Sequence, residues 1–574
     1  MIASGALRPA RIALLLLAML CVAPATTATT NVSSRGRTDR LNVIVIVADD
    51  LGFSDLGFLG SEIATPNLDA LAHRGVTLTQ FRVSPACSTT RAMLLTGIDH
   101  HRAGFGTMRE MLASNQFSKP GYETHLSRNV ATVAEILRQA GYRTYMAGKW
   151  HLGFLPEDDP ASRGFDRSFA MLHWGSGNFS GERSRVPAHV PSRIGEIPFR
   201  NGEHDFTENG VPLNNLPQNF FTSDAYVDQI IRDIHEGPRG QPFFAYLAFN
   251  APHVPIQAPS DWIDRYVGQY QAGPATVRAQ RIARARERGT IPNDSPASTM
   301  RPGTDAWNAL PADERRVLTR VQEVYAAMVS HMDAAIGRLV ASLERDGIAN
   351  RTVILFLSDN GAAANETSPG SWYTRWIEEN FDNSLANIGK RNSEKGPGRF
   401  WAQVGSSPFR GWKLSTYEGG IRVPLIVAGP GIGRRLPLAA APAHALDIVP
   451  TVLDFARVDI NHAPRVAGRS FEPTGVSLRP YLAGQTTRAH PPDTAFGFEL
   501  DGARAMQVGR WKVVRVAPPR GTGEWELYDL ARDPGETSDL ARSKPAVLAR
   551  LVQRWEVYAR DNGIITPDKR LIDW

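Results

Sequence analysis

Leu41-Asn42-Val43-Ile44-Val45-Ile46-Val47-Ala48-Asp49-Asp50-Leu51-Gly52 decides the fold. Its apolar, β-branched run is unbroken and does not alternate with polar residues. A strand of that kind is covered on both faces, as in a parallel sheet. It ends in Asp49 and Asp50, at the C-terminal strand end where open α/β sheets hold ligands; the same pair also reads as a solvated turn that caps a helix. The pattern recurs along the chain. Arg143–Ala147 reads as a strand and runs into Gly148-Lys149-Trp150-His151. Phe243–Phe249 runs into Asn250-Ala251-Pro252-His253, and Thr352–Leu357 into Ser358-Asp359-Asn360-Gly361. A late strand, Val423–Ala428, follows a polar segment that carries Lys413.

Helical spacing lies between these strands, over 129–140, 222–235, 313–346 and 445–456. Alternating strands and helices predict an α/β architecture, a mostly parallel sheet sandwiched by helices. The tail differs. Residues 503–516 and 525–530 read as short antiparallel strands and 547–559 as a closing helix, so a smaller C-terminal α+β unit is expected over 490–574. Three stretches, 155–220, 260–312 and 362–409, lack clear periodicity and are expected as long loops, which in compact domains are often functional.

The chain has 574 residues, 42% hydrophobic and 21% charged, enough for a large core in an ordinary globular protein. Its net charge of +6 includes Arg8 and Arg11 of the leader, which leaves +4 for the remainder. So small and scattered an excess excludes a nucleic-acid footprint and suits a small anionic substrate. Arg8 and Arg11 precede the apolar run Ile12–Val22, and Ala23-Pro24-Ala25 follows. Basic, apolar and small-residue segments in that order predict a signal peptide over 1–28 and export to the periplasm or beyond. The apolar run is too short to span a bilayer of about 20 residues, so no stable membrane insertion is expected.

Of the two cysteines, Cys21 leaves with that leader. Cys87 then stands alone, and an unpaired cysteine in an exported protein is flagged as reactive or modified. It lies in Ser84-Pro85-Ala86-Cys87-Ser88-Thr89-Thr90-Arg91, just before the apolar Ala92-Met93-Leu94-Leu95. A small-residue loop entering a helix places Cys87 at the helix N-terminus, where free N–H groups favour an anion. Arg91, one turn on, can reach back to the same end. Taken alone, such a cysteine reads equally as a buried small hydrophobe.

Together these stretches resemble the bacterial arylsulfatases of the alkaline phosphatase superfamily. The resemblance rests on Val47–Gly52, Cys87–Arg91 with Thr96-Gly97, Gly148–Gly153, Ala251-Pro252-His253, Ser358–Gly361, Gly411–Pro424 and Trp525–Leu530, in order. It implies an alkaline phosphatase-like catalytic domain over 40–489 and hydrolysis of sulfate monoesters. The implied nucleophile is formylglycine, made from Cys87 by a formylglycine-generating enzyme during maturation. Its hydrate attacks sulfur through one hydroxyl and expels sulfate through the other. The family pattern is Cys-X-Pro-X-Arg, and here Thr89 stands at the proline position. Asp49, Asp50, Asp359, Asn360 and the modified Cys87 are the implied ligands of one Ca2+. Arg91 is expected to hold the diol, Lys149 and Lys413 to bind sulfate oxygens, His151 to position the nucleophile or take its proton, and His253 to protonate the leaving oxygen.

Two other readings compete. A phosphate or phosphonate ester hydrolase of the same superfamily would use the same groups, but no second set of Asp and His ligands is evident for a second metal. A non-catalytic, exported binder of sulfate esters would follow if Cys87 stayed a thiol.

Overall fold

The computed structural model describes residues 40–182, 184, 189–192, 195–198, 205–366, 370–433 and 438–569. The expected signal peptide over 1–28 lies outside the described residues. The strand Asn42–Ala48 is buried along its whole length. It pairs in parallel with Thr352–Ser358 on one side and Phe243–Ala248 on the other. Register places Ala48 opposite Ser358, so Asp49 and Asp359 leave the same rim. Asp49 N–H donates to Ala251 O and Asp359 N–H to Ala48 O, both at 3.0 Å, which holds the three strand ends together.

Among the described residues the sheet has eleven strands. Beyond Phe243–Ala248 come Arg143–Lys149 and Arg167–Met171, both parallel. Beyond Thr352–Ser358 comes Arg422–Ala428, antiparallel to it, and then Val76–Arg82, antiparallel to Arg422–Ala428 and so running with the central strands again. Val76–Arg82 (Val-Thr-Leu-Thr-Gln-Phe-Arg) has polar residues interleaved with apolar ones. It lacks the continuous run that marks the central strands, and the sequence reading had no strand there.

Side chains of successive residues point to opposite faces. Ile44 and Ile46 accordingly join a core with Val324, Met328 and Met332 of the 34-residue helix Ala312–Arg345 and with Tyr226 and Ile230 of the helix Thr222–Glu236. Val43, Val45 and Val47 join a second core with Met93–Leu95, Ile136 and Leu137 on the other face. The sheet is thus sandwiched by helices, as expected. The helix expected from residue 129 begins at Val133, because Thr132 caps it and Glu135 completes a capping box.

The expectation of long loops over 260–312 and 362–409 is corrected. Helices run over Gly273–Glu287, Trp372–Asn380 and Gly398–Gly405. In the first of these, Arg278 and Arg281 are buried beside Val277 and Ile282. Arg281 is neutralised by Glu62 at 2.7 Å and by Asp55. A buried face that includes arginines shows no apolar period in the sequence.

A separate four-stranded antiparallel sheet follows over Ala495–Leu500, Ala503–Val508, Trp511–Arg515 and Glu526–Asp529. The first of these strands was not anticipated. Leu551 and Trp555 of the helix Pro545–Asp561 pack on Met506, Val513 and Leu527. Buried charges join this sheet to the larger one: Lys512 Nζ lies 2.9 Å from Glu418, and His101 Nε2 lies 3.0 Å from Glu499.

Candidate active site

Cys87 is the first residue of the helix Cys87–Thr96, and Ala86 before it is extended. No side chain caps this helix. Its first N–H groups are therefore without a side-chain acceptor. Cys87 Sγ lies 3.2 Å from Asp49 Oδ1 and 3.0 Å from Lys413 Nζ. Lys413 also reaches Asp50 Oδ1 at 2.7 Å, and Lys149 reaches Asp49 Oδ2 at 2.6 Å. Arg91 turns back onto Asp359, with Nε at 2.9 Å and Nη2 at 2.7 Å from Oδ2, while Nη1 donates to Lys149 O. Asn360 Nδ2 donates to Asp50 Oδ1 at 2.7 Å. His253 Nε2 lies 3.6 Å from Asp50 Oδ2.

Lys149 owes its place to the residue before it. Gly148 has φ +114°, and a Cβ there would sit 1.8 Å from Ala248 O of the neighbouring strand. Only glycine allows the two strands to approach so closely where the lysine leaves the sheet.

Burial, reinforced by Asp359, pushes the Asp49 carboxyl up to about 7, against the pull of Lys149 and Arg91. Burial raises the Cys87 thiol well above its ordinary range, with Asp359 and Asp49 adding to it. Burial opposes charge on Lys413 and Arg91, but facing carboxylates outweigh it and hold both firmly protonated. His151 is the reverse case: burial, then Lys149 and Arg91, push it well below its usual value. It lines the same cavity as Cys87 and His253, at φ +56°, and its Nδ1 has no hydrogen-bond partner.

Asp49, Asp50, Cys87 and His253 offer ligand atoms all within 4.8 Å of one another. Asn360 Oδ1, buried beside them, is an acceptor without a donor. An oxygen-rich set with surplus acceptor capacity fits a hard divalent cation. Asp359 is placed differently: its Oδ2 is engaged by Arg91 and its Oδ1 by the Asp50 N–H at 3.3 Å. The residues singled out from the sequence therefore meet at one rim, His151 through the shared cavity rather than through a hydrogen bond.

The matching family model is the one described as Sulfatase, over residues 41–458. The chain belongs to the sulfatase family. It is 39% identical over 426 residues to an arylsulfatase of Klebsiella aerogenes, a match covering 74% of this chain and 88% of that one. It is also 39% identical to an uncharacterised sulfatase of Schizosaccharomyces pombe, over 92% of this chain and 95% of the relative. Among solved structures, Ps i-CgsB in complex with k-i-k-neocarrahexaose shares the fold, with a TM-score of 0.63 at 23% identity over 92% of this chain and 94% of that one. The sulfatase described here is a sulfuric ester hydrolase, and its sheet and helix layers are those of its structural relatives.

The structure adds residues to the sulfatase site that the sequence did not single out. Asn365 Nδ2 lies 3.3 Å from Asp50 Oδ2. Glu110, Trp174 and Trp412 line the cavity above Cys87. Trp174 and Asn365 come from the stretches without periodicity, so no sequence signal marked them; Trp412 lies within Gly411–Pro424, next to Lys413, and Glu110 lies in the segment that follows Thr96-Gly97. His100 and His101 are held in structural contacts away from Cys87. Both ring nitrogens of His101 are taken by carboxylates, Asp99 at 2.8 Å and Glu499 at 3.0 Å, and His100 Nδ1 is bonded to Phe105 O.

Among the described residues, no helix is long and apolar enough to cross a membrane.

Proposed function

We propose that the sulfatase hydrolyses sulfate monoesters through formylglycine made from Cys87, with one Ca2+ held by Asp49, Asp50, Asp359 and Asn360 beside that residue. The observation that carries this reading is Cys87 Sγ lying between Asp49 Oδ1 and Lys413 Nζ, at 3.2 and 3.0 Å, at an uncapped helix N-terminus. A thiol held protonated by burial is a poor nucleophile at neutral pH, so cysteine itself is ill suited to the place it occupies. A bound divalent cation would polarise a sulfate oxygen and lower the pKa of the attacking hydroxyl.

The side chains supply the rest. Three carboxylates (Asp49, Asp50, Asp359) face three cations (Arg91, Lys149, Lys413), so the protein groups balance one another. A divalent cation leaves the site positive and able to draw in a monoanionic ester. Lys149 and Lys413 bind sulfate oxygens as point charges, and Arg91, locked by Asp359, fixes the nucleophile's end of the helix. His151 lines the cavity with Cys87, with Nδ1 unbonded, and is the residue proposed to take the proton whose loss expels sulfate. The His253 Nδ1–H donates to Val254 O at 2.7 Å, so Nε2 is the atom that would carry a proton to the leaving oxygen.

Cys87 is only 1% exposed. Conversion by a formylglycine-generating enzyme must therefore precede packing of the helix, on an unfolded chain during export. The test is the mass and aldehyde reactivity of the tryptic peptide Val83–Arg91 from a host with that machinery. A lighter, aldehyde-bearing peptide is expected. An intact cysteine in a protein that still turns over sulfate esters would refute the nucleophile.

A further inference from the structure

Above Cys87 the chain encloses a cavity of about 870 Å3, at the upper end of the range for small-molecule sites. Its walls are mainly apolar. Trp174, Tyr373, Phe381, Phe400 and Trp412 supply aromatic surface, and Val254, Leu310, Leu318 and Ile377 supply aliphatic surface. The aromatics brace one another, with the Trp174 and Tyr373 ring centroids 6.1 Å apart and edge-on. Trp412 packs against Ala362, Ala364 and Ala402, and the Arg520 guanidinium lies 6.0 Å from its ring.

The charge on these walls is unlike that of the floor. Five glutamates line them, Glu110, Glu314, Glu366, Glu378 and Glu394, against Lys395, Arg399 and Arg520. Glu366 is paired with Arg399. Glu110 has a buried Oε2 without a hydrogen-bond partner. The positive groups gather round the sulfuryl position, and the leaving-group end is apolar with an acidic excess.

We propose, resting on the sulfate-ester reading above, that this cavity takes the leaving group of a singly charged, multi-ring apolar sulfate ester and disfavours sulfated saccharides. Sugar hydroxyls that face Val254, Leu310, Leu318 and Ile377 would find no hydrogen bond, a loss of about tenfold or more per stranded hydroxyl, while Asn365, Thr374, Asn383 and the glutamates would meet others. A second sulfate would meet the glutamates. A fused ring system of three or four rings enters the space without filling it and offers flat apolar faces to Trp174, Tyr373 and Trp412.

The test compares kcat/KM for phenyl sulfate, estrone sulfate and glucosamine 6-sulfate with the full mature protein. Phenyl and estrone sulfates share a phenolic leaving oxygen, so their ratio reads the cavity rather than the chemistry. Estrone sulfate is expected to exceed phenyl sulfate by about tenfold and the sugar sulfate by about a hundredfold. Trp412→Ala should narrow the first ratio by several fold. Turnover of phenyl sulfate with no gain for estrone sulfate, or a preference for the sugar, overturns the proposal and leaves the hydrolase reading intact. Should no ester turn over, binding to the Cys87→Ala protein decides. Estrone sulfate is expected to quench the fluorescence of Trp174 and Trp412, and equal or stronger binding of glucosamine 6-sulfate overturns the proposal independently of the nucleophile.

Discussion

His101 should make the docking of the C-terminal sheet weaken between pH 6.5 and 9.5. Its ring is buried between Asp99 Oδ1 at 2.8 Å and Glu499 Oε2 at 3.0 Å, and the Tyr558 hydroxyl donates to Asp99 Oδ2 at 2.7 Å. Burial works against the imidazolium, but hydrogen bonds to the two carboxylates outweigh it and hold His101 up to about 9, from 6.5. A raised folded value means that the stabilisation is fully present below the unfolded value and is lost as pH rises through about 9. The difference of about 2.5 pKa units corresponds to about 3 kcal/mol.

His100, His444, Asp99, Tyr122 and Tyr558, packed round His101, are all held outside that window. Burial and His101 push His100 down to about 3, burial holds His444 at about 4, the neighbouring histidines keep Asp99 well below its usual range, and burial raises Tyr122 and Tyr558 above theirs. His100 acts on the acid side instead, where its contribution is lost as pH falls from 6.5 towards 3. The assay is amide hydrogen exchange in Ala495–Leu500 and Ala503–Val508, corrected for the intrinsic pH dependence. Opening should become two to three decades more frequent at pH 9.5, on the order of the 3 kcal/mol above. His101→Gln should lose this pH dependence and already be weakened at pH 6.5 by about 3–5 kcal/mol, since Asp99 and Glu499 remain buried without a cation. An identical pH slope in the variant and the wild type would refute the assignment.

Lys413→Ala should lower kcat/KM on phenyl sulfate by about 10²–10³ while the circular dichroism spectrum is unchanged, because one of the cations facing the sulfuryl group is lost. Thr89→Pro should raise the converted fraction of Cys87, measured on the Val83–Arg91 peptide. Residue 89 lies in the first helical turn, where proline is tolerated; the change removes the hydroxyl bonds to Ser84 Oγ and Ala86 O, about 1 kcal/mol each, and restricts the helical Ser88 before it. Exhaustive chelation should abolish turnover and lower the melting temperature, and Ca2+ should restore both; a melting curve indifferent to chelator and Ca2+ would argue against a resident ion.

The reacting groups were legible because each is fixed by strand register. Asp49, Lys149, His253 and Asp359 follow apolar runs that can only be buried strands. Once Ala48 pairs beside Ser358, and Gly148 beside Ala248, these residues have no other rim to occupy. Cys87 and Arg91 were legible for a related reason, since a helix start beside that rim fixes both. The cavity walls have no such anchor. Trp174 and Asn365 sit in aperiodic segments, placed by packing against distant parts of the chain. The helix Gly273–Glu287 was hidden because Arg281 is buried by Asp55 and Glu62 instead of by apolar neighbours.

The same division separates two kinds of change. Substitution among the charged groups of the rim alters charge at the sulfuryl group, where every cation already faces a carboxylate, and so alters the chemical step for any ester. Substitution in the walls alters only which leaving group is held there. A comparison of Lys413→Ala with Trp412→Ala on phenyl and estrone sulfates tests that separation. The lysine change should depress both substrates by the same factor, and the tryptophan change should fall mainly on the larger one. If both variants slow the two substrates equally, wall and floor act as one unit, and the leaving-group cavity cannot be treated apart from the catalytic rim.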